Sequence, residues 1–194
     1  MSRTERRVQK LRGTLERRQP DLTIVMENIH DPHNVSAMFR SADAVGVMQV
    51  QLIYTFEKFP KIGEKSSASA RKWVEKRNFI SVDECYATLR KEGFRIYATH
   101  LGVESRSLYD LDLSIPSAIV FGNEHRGVSE EAARIADENF VIPMNGMIQS
   151  LNVSVACAVS LYEAFRQRWM KGDYRVPKLP SGVFEKLLEE WSRK

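Results

Sequence analysis

Short apolar runs alternate along the chain with longer segments in which apolar positions recur every three or four residues. The short runs are typical of buried strands and lie at Leu22–Met26, Val50–Tyr54, Phe79–Ser81, Arg95–Thr99, Ala118–Phe121 and Phe140–Ile142. The longer segments predict helices at Asn34–Val45, Val82–Glu92, Ser129–Ile135, Leu151–Lys171 and Val183–Trp191. Strands that alternate with helices predict an α/β fold, in which helices cover both faces of a parallel sheet.

Residues that cap helices support several of these boundaries. Ser129 precedes two glutamates, as is typical of a helix start, and Gly93 follows the helix predicted at Val82–Glu92. The segment Phe56–Lys72 is polar and contains a run of small residues, so we expect a mobile loop there.

Three of the predicted strands are followed by loops that contain glycine, histidine or amide side chains: Thr99–Gly102, Gly122–Gly127 and Pro143–Asn152. In a parallel α/β sheet, ligands bind outside the carboxyl ends of the strands. Gly122 and Gly127 permit positive φ angles and close approach of the backbone to a ligand. Neither GxGxxG nor GxxxxGK[ST] occurs in the chain, which excludes an ordinary dinucleotide site and a P-loop. The remaining possibility is a ligand that is held largely by backbone groups.

The stretch Ile142–Phe165 joins a strand to a long helix that is apolar nearly all the way round. At the start of that helix, Gln149, Ser150 and Asn152 lie close together in sequence. One interpretation is that Ser150 is the N-cap and accepts a hydrogen bond from the first turn. The other is that Met144–Asn152 wraps round a ligand, which would also explain the neighbouring polar residues.

Basic residues are concentrated at the two ends of the chain, although the formal net charge is only +4. Met1–Arg18 carries seven basic and two acidic residues, Arg166–Lys194 carries eight and four, and the segment between them is acidic. Basic ends on an acidic body suggest arms that bind a polyanion, most simply nucleic acid. The alternatives are ordinary solvated helices, or a first helix that packs through Val8, Leu11 and Leu15.

The two cysteines, Cys85 and Cys157, fall in different predicted helices and have no CxxC spacing. Buried thiols in a reducing cytoplasm are the interpretation that we prefer. No apolar segment follows the first methionine, so we expect no secretory signal. The longest apolar run, around Val153–Val159, is too short to span a bilayer.

Three segments carry a shared pattern: Pro32–Val47 (PHNVSAMFRSADAVGV), Ala118–Ser129 (AIVFGNEHRGVS) and Ile142–Glu163 (IPMNGMIQSLNVSVACAVSLYE). In order and spacing over Asp21–Arg168, they resemble motifs 1, 2 and 3 of the SpoU/TrmH-type SPOUT RNA methyltransferase family. The resemblance implies a parallel sheet whose C-terminal segment threads a trefoil knot, with S-adenosylmethionine bound in the knot loops. It also implies a homodimer that methylates a ribose 2′-hydroxyl.

The two ends and the entry Arg17–Asn34 resemble those family members that methylate guanosine 18 in the D-loop of tRNA. This resemblance implies a basic N-terminal helical arm at residues 1–20, a catalytic domain at 21–170 and a helical extension at 171–194. Methylation of another tRNA or rRNA nucleotide is the alternative.

The resemblance implies three groups of site residues. The catalytic group consists of Asn34, Arg40, Glu124, Ser150 and Asn152. The expected contacts to the methyl donor are Thr99, His100, Leu101, Gly122, Asn123, Gly127, Ile142, Met144, Met147, Ser150 and Leu151. The arginines expected to contact RNA are Arg7, Arg12, Arg17, Arg18, Arg166, Arg168 and Arg175.

Arg40 is a poor general base because a guanidinium stays protonated, and a bidentate grip on an RNA phosphate suits it better. Glu124 could bind a hydroxyl group or support Asn34 and Arg40 by hydrogen bonding. Without the resemblance, Arg40 would be an ordinary surface arginine and Glu124 an ordinary loop carboxylate. His30 and His33 lack a second cluster of ligands, so we expect no metal.

Two further classes of function remain open at this point. The chain could be an RNA-binding module that has kept the fold without catalysis, although the complete set of motif residues argues against it. It could also be an α/β protein that binds a metabolite, but the basic ends would then have no explanation.

Overall fold

A seven-stranded parallel sheet forms the centre of the computed structural model, which describes residues 3–60, 70–102 and 104–194. The strands are β1 (Leu22–Glu27), β2 (Gln49–Ile53), β3 (Glu75–Phe79), β4 (Arg95–Thr99), β5 (Arg106–Ser107), β6 (Ser117–Phe121) and β7 (Glu138–Val141). The helices are α1 (Arg3–Leu15), α2 (Pro32–Ala44), α3 (Val82–Lys91), α4 (Glu130–Ile135), α5 (Val153–Lys171) and α6 (Ser181–Ser192), with 3₁₀ turns at Ala70–Lys72 and Leu108–Asp110. The strand order is β3-β2-β1-β6-β4-β7-β5, and every pairing is parallel. The predicted fold class is confirmed.

Helices cover both faces of the sheet, because the side chains of its strands alternate between two apolar layers. On one face, Ile24 of β1 packs with Phe39 of α2 and Leu161 of α5. On the other face, Val25 packs with side chains of α3 and α4, among them Cys85. Both cysteines are buried and free, and burial raises the pKa of the Cys85 thiol to about 12.

Two parts of the sheet differ from the prediction. The strand expected at Phe79–Ser81 is instead β3, which begins earlier, at Glu75. Its polar residues hid it, because β3 lies at the edge of the described sheet, next to β2. Ser81 is the N-cap of α3 and accepts a hydrogen bond from the amide of Glu84 at 3.1 Å. The two-residue strand β5 had no periodic signal and was missed. Most of the loop predicted at Phe56–Lys72 lies outside the described residues.

The basic helix α1 packs against α6. Its Leu11 and Leu15 are buried in a small cluster with Phe184, Leu187, Leu188 and Trp191. The alternative in which apolar side chains pack this helix on the protein is therefore correct for these two leucines.

The domain boundaries after residues 20 and 170 stay a prediction. No helix in the described part of the chain is long and apolar enough to cross a membrane.

Arg18 was predicted to contact RNA, and the structure contradicts this prediction. Its side chain is fully buried and donates to the Asp43 carboxylate at 2.5 Å and to the Val47 carbonyl at 2.8 Å. Its guanidinium also lies over the Trp191 ring, 5.2 Å from the centroid. Burial lowers the pKa of Arg18, although Asp43 opposes that shift. This arginine holds α1 and α6 to the body of the protein.

Arg168 is likewise buried and not available to RNA. Its guanidinium donates to the Asp21 carboxylate at 2.7 Å and to the carbonyls of Leu113 (3.0 Å), Ile115 (2.6 Å) and Asp21 (3.0 Å). Lys178 is a second cation on Asp21, at 2.8 Å. Burial would raise the pKa of Asp21, but Arg168 and Lys178 outweigh it and lower that pKa. The predicted RNA contact is thus a structural anchor for the end of α5.

Replacing Arg168 by alanine should destabilise the fold strongly, because Asp21 would lose a buried cation and three carbonyls would each lose a donor. We expect the free energy of unfolding to fall by about 3–5 kcal/mol, the range for removing one partner of a buried ion pair. Arg175→Ala, at an exposed position shortly after the same helix, should change the free energy little. Chemical denaturation of both variants at pH 7 measures the difference.

The effect of Arg168→Ala should also depend on pH, since the pKa of Asp21 is lowered in the folded chain. A carboxyl group of this kind contributes stability above its unfolded pKa, about 3.9, and loses it as the pH falls. The difference between wild type and variant should be full at neutral pH and shrink below about pH 4. A difference independent of pH would contradict the role of Asp21.

Candidate active site

A cavity of about 980 Å³ opens at the carboxyl ends of β4, β6 and β7. These strands are neighbours in the sheet, so the loops that follow them meet at one edge. The loops are the three that the sequence singled out, Thr99–Gly102, Gly122–Gly127 and Pro143–Asn152. The first turn of α5 completes the wall with Val153 and Ala156.

Most of the residues predicted to bind a methyl donor line this cavity. They are Thr99, His100, Leu101, Gly122, Asn123, Gly127, Ile142, Met144, Ser150 and Leu151. Met147 does not line it, because its side chain points into solvent and is fully exposed. Its neighbours Gly146 and Ile148 line the cavity instead.

The turn Gly122–Gly127 is built by its own backbone and by Asn123. A Cβ atom on Gly122 would lie 2.1 Å from the backbone of Gly127, so only glycine fits there. We expected Gly122 to permit close approach of the backbone to a ligand. It instead permits close packing of the Gly122 backbone against that of Gly127 within the turn. Gly127 has the expected positive φ of 71°. The Asn123 Oδ1 atom accepts from the amides of His125 at 3.0 Å and Arg126 at 3.3 Å, which fixes the turn.

Three of the five predicted catalytic residues form one chain of hydrogen bonds. The Asn34 Nδ2 atom donates to Glu124 Oε1 at 2.9 Å, and Asn152 Nδ2 donates to Asn34 Oδ1 at 3.1 Å. Glu124 accepts two further bonds, from the amides of His30 at 2.9 Å and Asp31 at 3.0 Å. All three sequence motifs therefore meet at Asn34.

Glu124 is held as an anion. Burial alone would raise the pKa of its carboxyl group, but the hydrogen bonds from Asn34 and from the amides of His30 and Asp31 outweigh burial and lower the pKa. A carboxylate with a lowered pKa and three donors is poorly suited to accept a proton at neutral pH. Its position favours the orientation of Asn34 and of the loop before α2.

The helix α5 begins at Val153, and Asn152 is its N-cap. The Asn152 Oδ1 atom accepts from the Ser154 amide at 2.8 Å. The interpretation of Ser150 as the cap is therefore wrong, because the helix starts later than predicted. Ser150 is exposed and lines the cavity, as the ligand-loop interpretation expected. Asn152 uses its amide oxygen for the helix and its amide nitrogen for Asn34.

Arg40 is not brought to the cavity within one chain. It lies on the exposed side of α2, and its guanidinium has no hydrogen-bond or ion-pair partner among the residues described. Its charge is therefore open to an external anion.

Five of the predicted RNA contacts are also exposed: Arg7, Arg12, Arg17, Arg166 and Arg175. Arg12 is paired with Glu185 at 3.4 Å and Arg166 with Glu163 at 2.7 Å.

Two residues at the site were missed from the sequence. Arg126 lines the cavity beside Glu124, and motif 2 contains it without any signal that separates it from an ordinary loop arginine. Asn28 is buried at the end of β1 with a positive φ of 51°. Asparagine tolerates this conformation better than most residues, so an asparagine after a strand was the available signal.

The described part of the structure offers no donor set for a metal ion. Among its residues, no three His, Cys, Asp or Glu side chains lie close enough together to hold one. The Nδ1 atom of His30 lies 3.1 Å from Glu57, and both residues are at least partly exposed.

Comparisons with known proteins identify relatives over nearly the whole chain. Residues 21–162 match the model of the SpoU rRNA Methylase family. A tRNA (guanosine(18)-2′-O)-methyltransferase of Thermus thermophilus is 45% identical over 192 residues, which cover 99% of this chain and 98% of that protein.

Solved structures give the same result for the fold. The A. aeolicus TrmH/SpoU tRNA modifying enzyme superposes with a TM-score of 0.91 at 41% identity, over 98% of this chain and 96% of that one. The SpoU methyltransferase AviRb from Streptomyces viridochromogenes, in complex with the cofactor AdoMet, has a TM-score of 0.70 at 25% identity, over 79% of this chain and 62% of that one.

Asn34→Asp should destabilise the protein at pH 8, because it replaces a donor to Glu124 by a second carboxylate. The loss should be about 1.5–3 kcal/mol, the value of a hydrogen bond to a charged group. Mutual repulsion raises one pKa of the pair, so stability should recover as the pH falls and a shared proton restores the bond. Denaturation at pH 8 and pH 5 measures this recovery.

Asn78→Asp is the matched control, since Asn78 is exposed on β3. It should show neither the loss at pH 8 nor the recovery at pH 5. If Asn34→Asp were equally stable at both pH values, the hydrogen bond to Glu124 would not be a significant contact.

Proposed function

This chain belongs to the SpoU rRNA Methylase family, and we propose that it transfers a methyl group from S-adenosylmethionine to the ribose 2′-hydroxyl of guanosine 18 in tRNA. The proposal rests on the tRNA (guanosine(18)-2′-O)-methyltransferase of Thermus thermophilus, which is 45% identical over 99% of this chain. A structural neighbour described as a tRNA modifying enzyme, with matching length and fold, supports the same substrate.

The cavity fits S-adenosylmethionine in size and chemistry. Its volume of about 980 Å³ is at the upper end of ordinary ligand sites. Apolar side chains such as Ile142, Met144 and Leu151 can contact an adenine ring, while the loop backbone offers donors and acceptors. When bound, S-adenosylmethionine supplies an electrophilic methyl group on a positively charged sulfur. The trefoil knot that the family implies stays a prediction.

The hydrogen-bonded chain from Glu124 to Asn152 positions the wall of the reaction centre. Asn34 is held at both ends of its amide group, so its rotamer is fixed before substrate arrives. Ser150 presents a hydroxyl on the cavity wall, where it can donate to or accept from the ribose. These groups orient the nucleoside.

Arg40 is the residue that we propose for the RNA phosphate next to the target ribose. Its guanidinium, which has no partner among the described residues, offers a planar set of donors that matches two phosphate oxygens. Such a grip would hold the 2′-hydroxyl in place and favour loss of its proton, because the positive charge stabilises the oxyanion.

The exposed arginines of the two ends form the proposed tRNA surface. Arg7, Arg12 and Arg17 lie on or just after α1, and Arg166 and Arg175 lie on or after α5. Arg18 and Arg168 are excluded from this surface by their burial. Phosphate contacts of this kind position RNA and provide affinity that depends on salt.

A second copy of the chain is the partner that we propose for α5. Val155, Tyr162 and Trp169 recur every seven residues and so lie along one face of the helix, where they are 47%, 53% and 56% exposed. A row of half-exposed apolar side chains on a soluble helix is typical of an interface. The homodimer that the family resemblance implies would cover it. Arg40 lies on α2, the helix that packs beside α5.

Incubation with labelled S-adenosylmethionine and unmodified tRNA, followed by mapping of the labelled nucleotide, tests the activity. Wild type should label guanosine 18. Arg40→Ala should nearly abolish labelling, and Arg40→Lys should also be impaired, since an ammonium lacks the planar fork. Calorimetry should show that both Arg40 variants bind the methyl donor with the affinity of wild type. Full turnover by Arg40→Lys would contradict the bidentate role.

The double variant Arg7→Gln/Arg175→Gln should weaken tRNA binding without affecting the fold. Neither guanidinium has a partner among the described residues, so no internal contact is lost. Each lost phosphate contact should reduce the slope of log affinity against log salt by roughly 0.7–0.9. Filter binding at several salt concentrations measures the slope, with Arg193→Gln as the control for loss of one surface charge. An unchanged slope would remove both arginines from the RNA surface.

A further inference from the structure

An exposed aromatic ring and an exposed guanidinium meet at the cavity. The Arg126 guanidinium lies over the Phe56 ring, 4.8 Å from its centroid, and the Phe56 side chain is 54% exposed. Arg126 lines the cavity directly. We refer to these two side chains as the Phe56–Arg126 pair.

Buried amide groups hold this pair in place. Phe56 follows β2, and the side-chain oxygen of Asn28 accepts from the amides of Thr55 at 2.9 Å and Phe56 at 3.4 Å. The Asn28 carbonyl in turn accepts from Asn123 Nδ2 at 2.8 Å, and Asn123 fixes the backbone of Arg126. The two loops are thus fastened to each other through Asn28, although their tips are exposed.

No carboxylate in the described part of the chain neutralises the charge of Arg126. Among the residues described, its guanidinium has no carboxylate partner, and the neighbouring Glu124 already accepts three hydrogen bonds from the loop before α2 and from Asn34. A guanidinium on an aromatic face keeps its in-plane donors and its second face open. Such a surface can both stack on a base and donate hydrogen bonds to it.

We propose that the Phe56–Arg126 pair is the platform for the base of the nucleotide whose ribose is methylated. This inference rests on the proposed function, which places that ribose in the cavity. Because a base is bonded directly to its ribose, it must lie beside the cavity, where Arg126 is. Arginine donors match the O6 and N7 acceptors of guanine, and both members of the pair stack on purines. The pair therefore determines specificity for the target base.

The test compares two tRNA transcripts that differ only at the target, one with guanosine 18 and one with an abasic ribose there. Affinities are measured by filter binding with S-adenosylhomocysteine present, so that no turnover occurs. The variants are Arg126→Lys, which keeps the charge and loses the plane, and Phe56→Leu, which keeps apolar volume and loses the ring. Arg95→Lys is the matched control, because Arg95 lies over Tyr97 at the amino end of β4, away from the cavity.

Each of the two variants should bind the guanosine transcript about tenfold more weakly than wild type, within the range for one stacked base. Neither should bind the abasic transcript differently from wild type, and Arg95→Lys should match wild type on both. Calorimetry should give unchanged affinity for S-adenosylmethionine.

Three results would overturn the inference: equal loss on both transcripts, which indicates a phosphate contact; loss of donor affinity, which indicates a role in the donor site; or no loss at all. Failure of the proposed function is recognised separately. In that case wild type itself would not methylate guanosine 18, whatever the variants do.

Discussion

The Glu124 carboxylate is the contact on which the rest of the site depends. It joins the loop after β6 to the start of α2 by accepting from two backbone amides and from Asn34, and Asn34 passes the connection to Asn152 at the start of α5. Glu124 and Asn152 lie outside the helices and strands where they meet Asn34 in the first turn of α2, so neither of their segments could fix the geometry alone. A charged acceptor with several donors is strong enough to do so in a partly exposed site.

Buried arginines perform the corresponding task at the other end of the molecule. Arg168 satisfies carbonyls that no strand or helix would otherwise pair, and Arg18 does the same beside Trp191. The desolvation of two guanidinium groups is costly and is offset by acidic partners and by several carbonyl oxygens each. Positive charge in the sequence of this protein therefore has two uses, and only the exposed part of it is available for RNA.

The sequence predicted the elements whose signals are local. Periodicity located α3 and α5 within two residues, and the cap at Ser129 was recognised from its neighbours. Prediction from the sequence failed where tertiary contacts determine the structure. β3 is polar because it is an edge strand, and the burial of Arg168 depends on carbonyls more than fifty residues away. The motifs brought the cavity residues together, yet they could not show that Met147 faces solvent or that Asn28 fastens two loops.

The packing of α1 on α6 has a consequence for the order of events during synthesis. Leu11, Leu15 and Arg18 are made early, but their partners Phe184 and Trp191 lie close to the end of the chain. The sheet can form while the apolar face of α1 is still uncovered. Until α6 has been synthesised, the apolar face of this basic helix has no cover from Phe184 and Trp191. Closure of α1 over α6 is therefore a late step, which follows synthesis of every strand of the sheet.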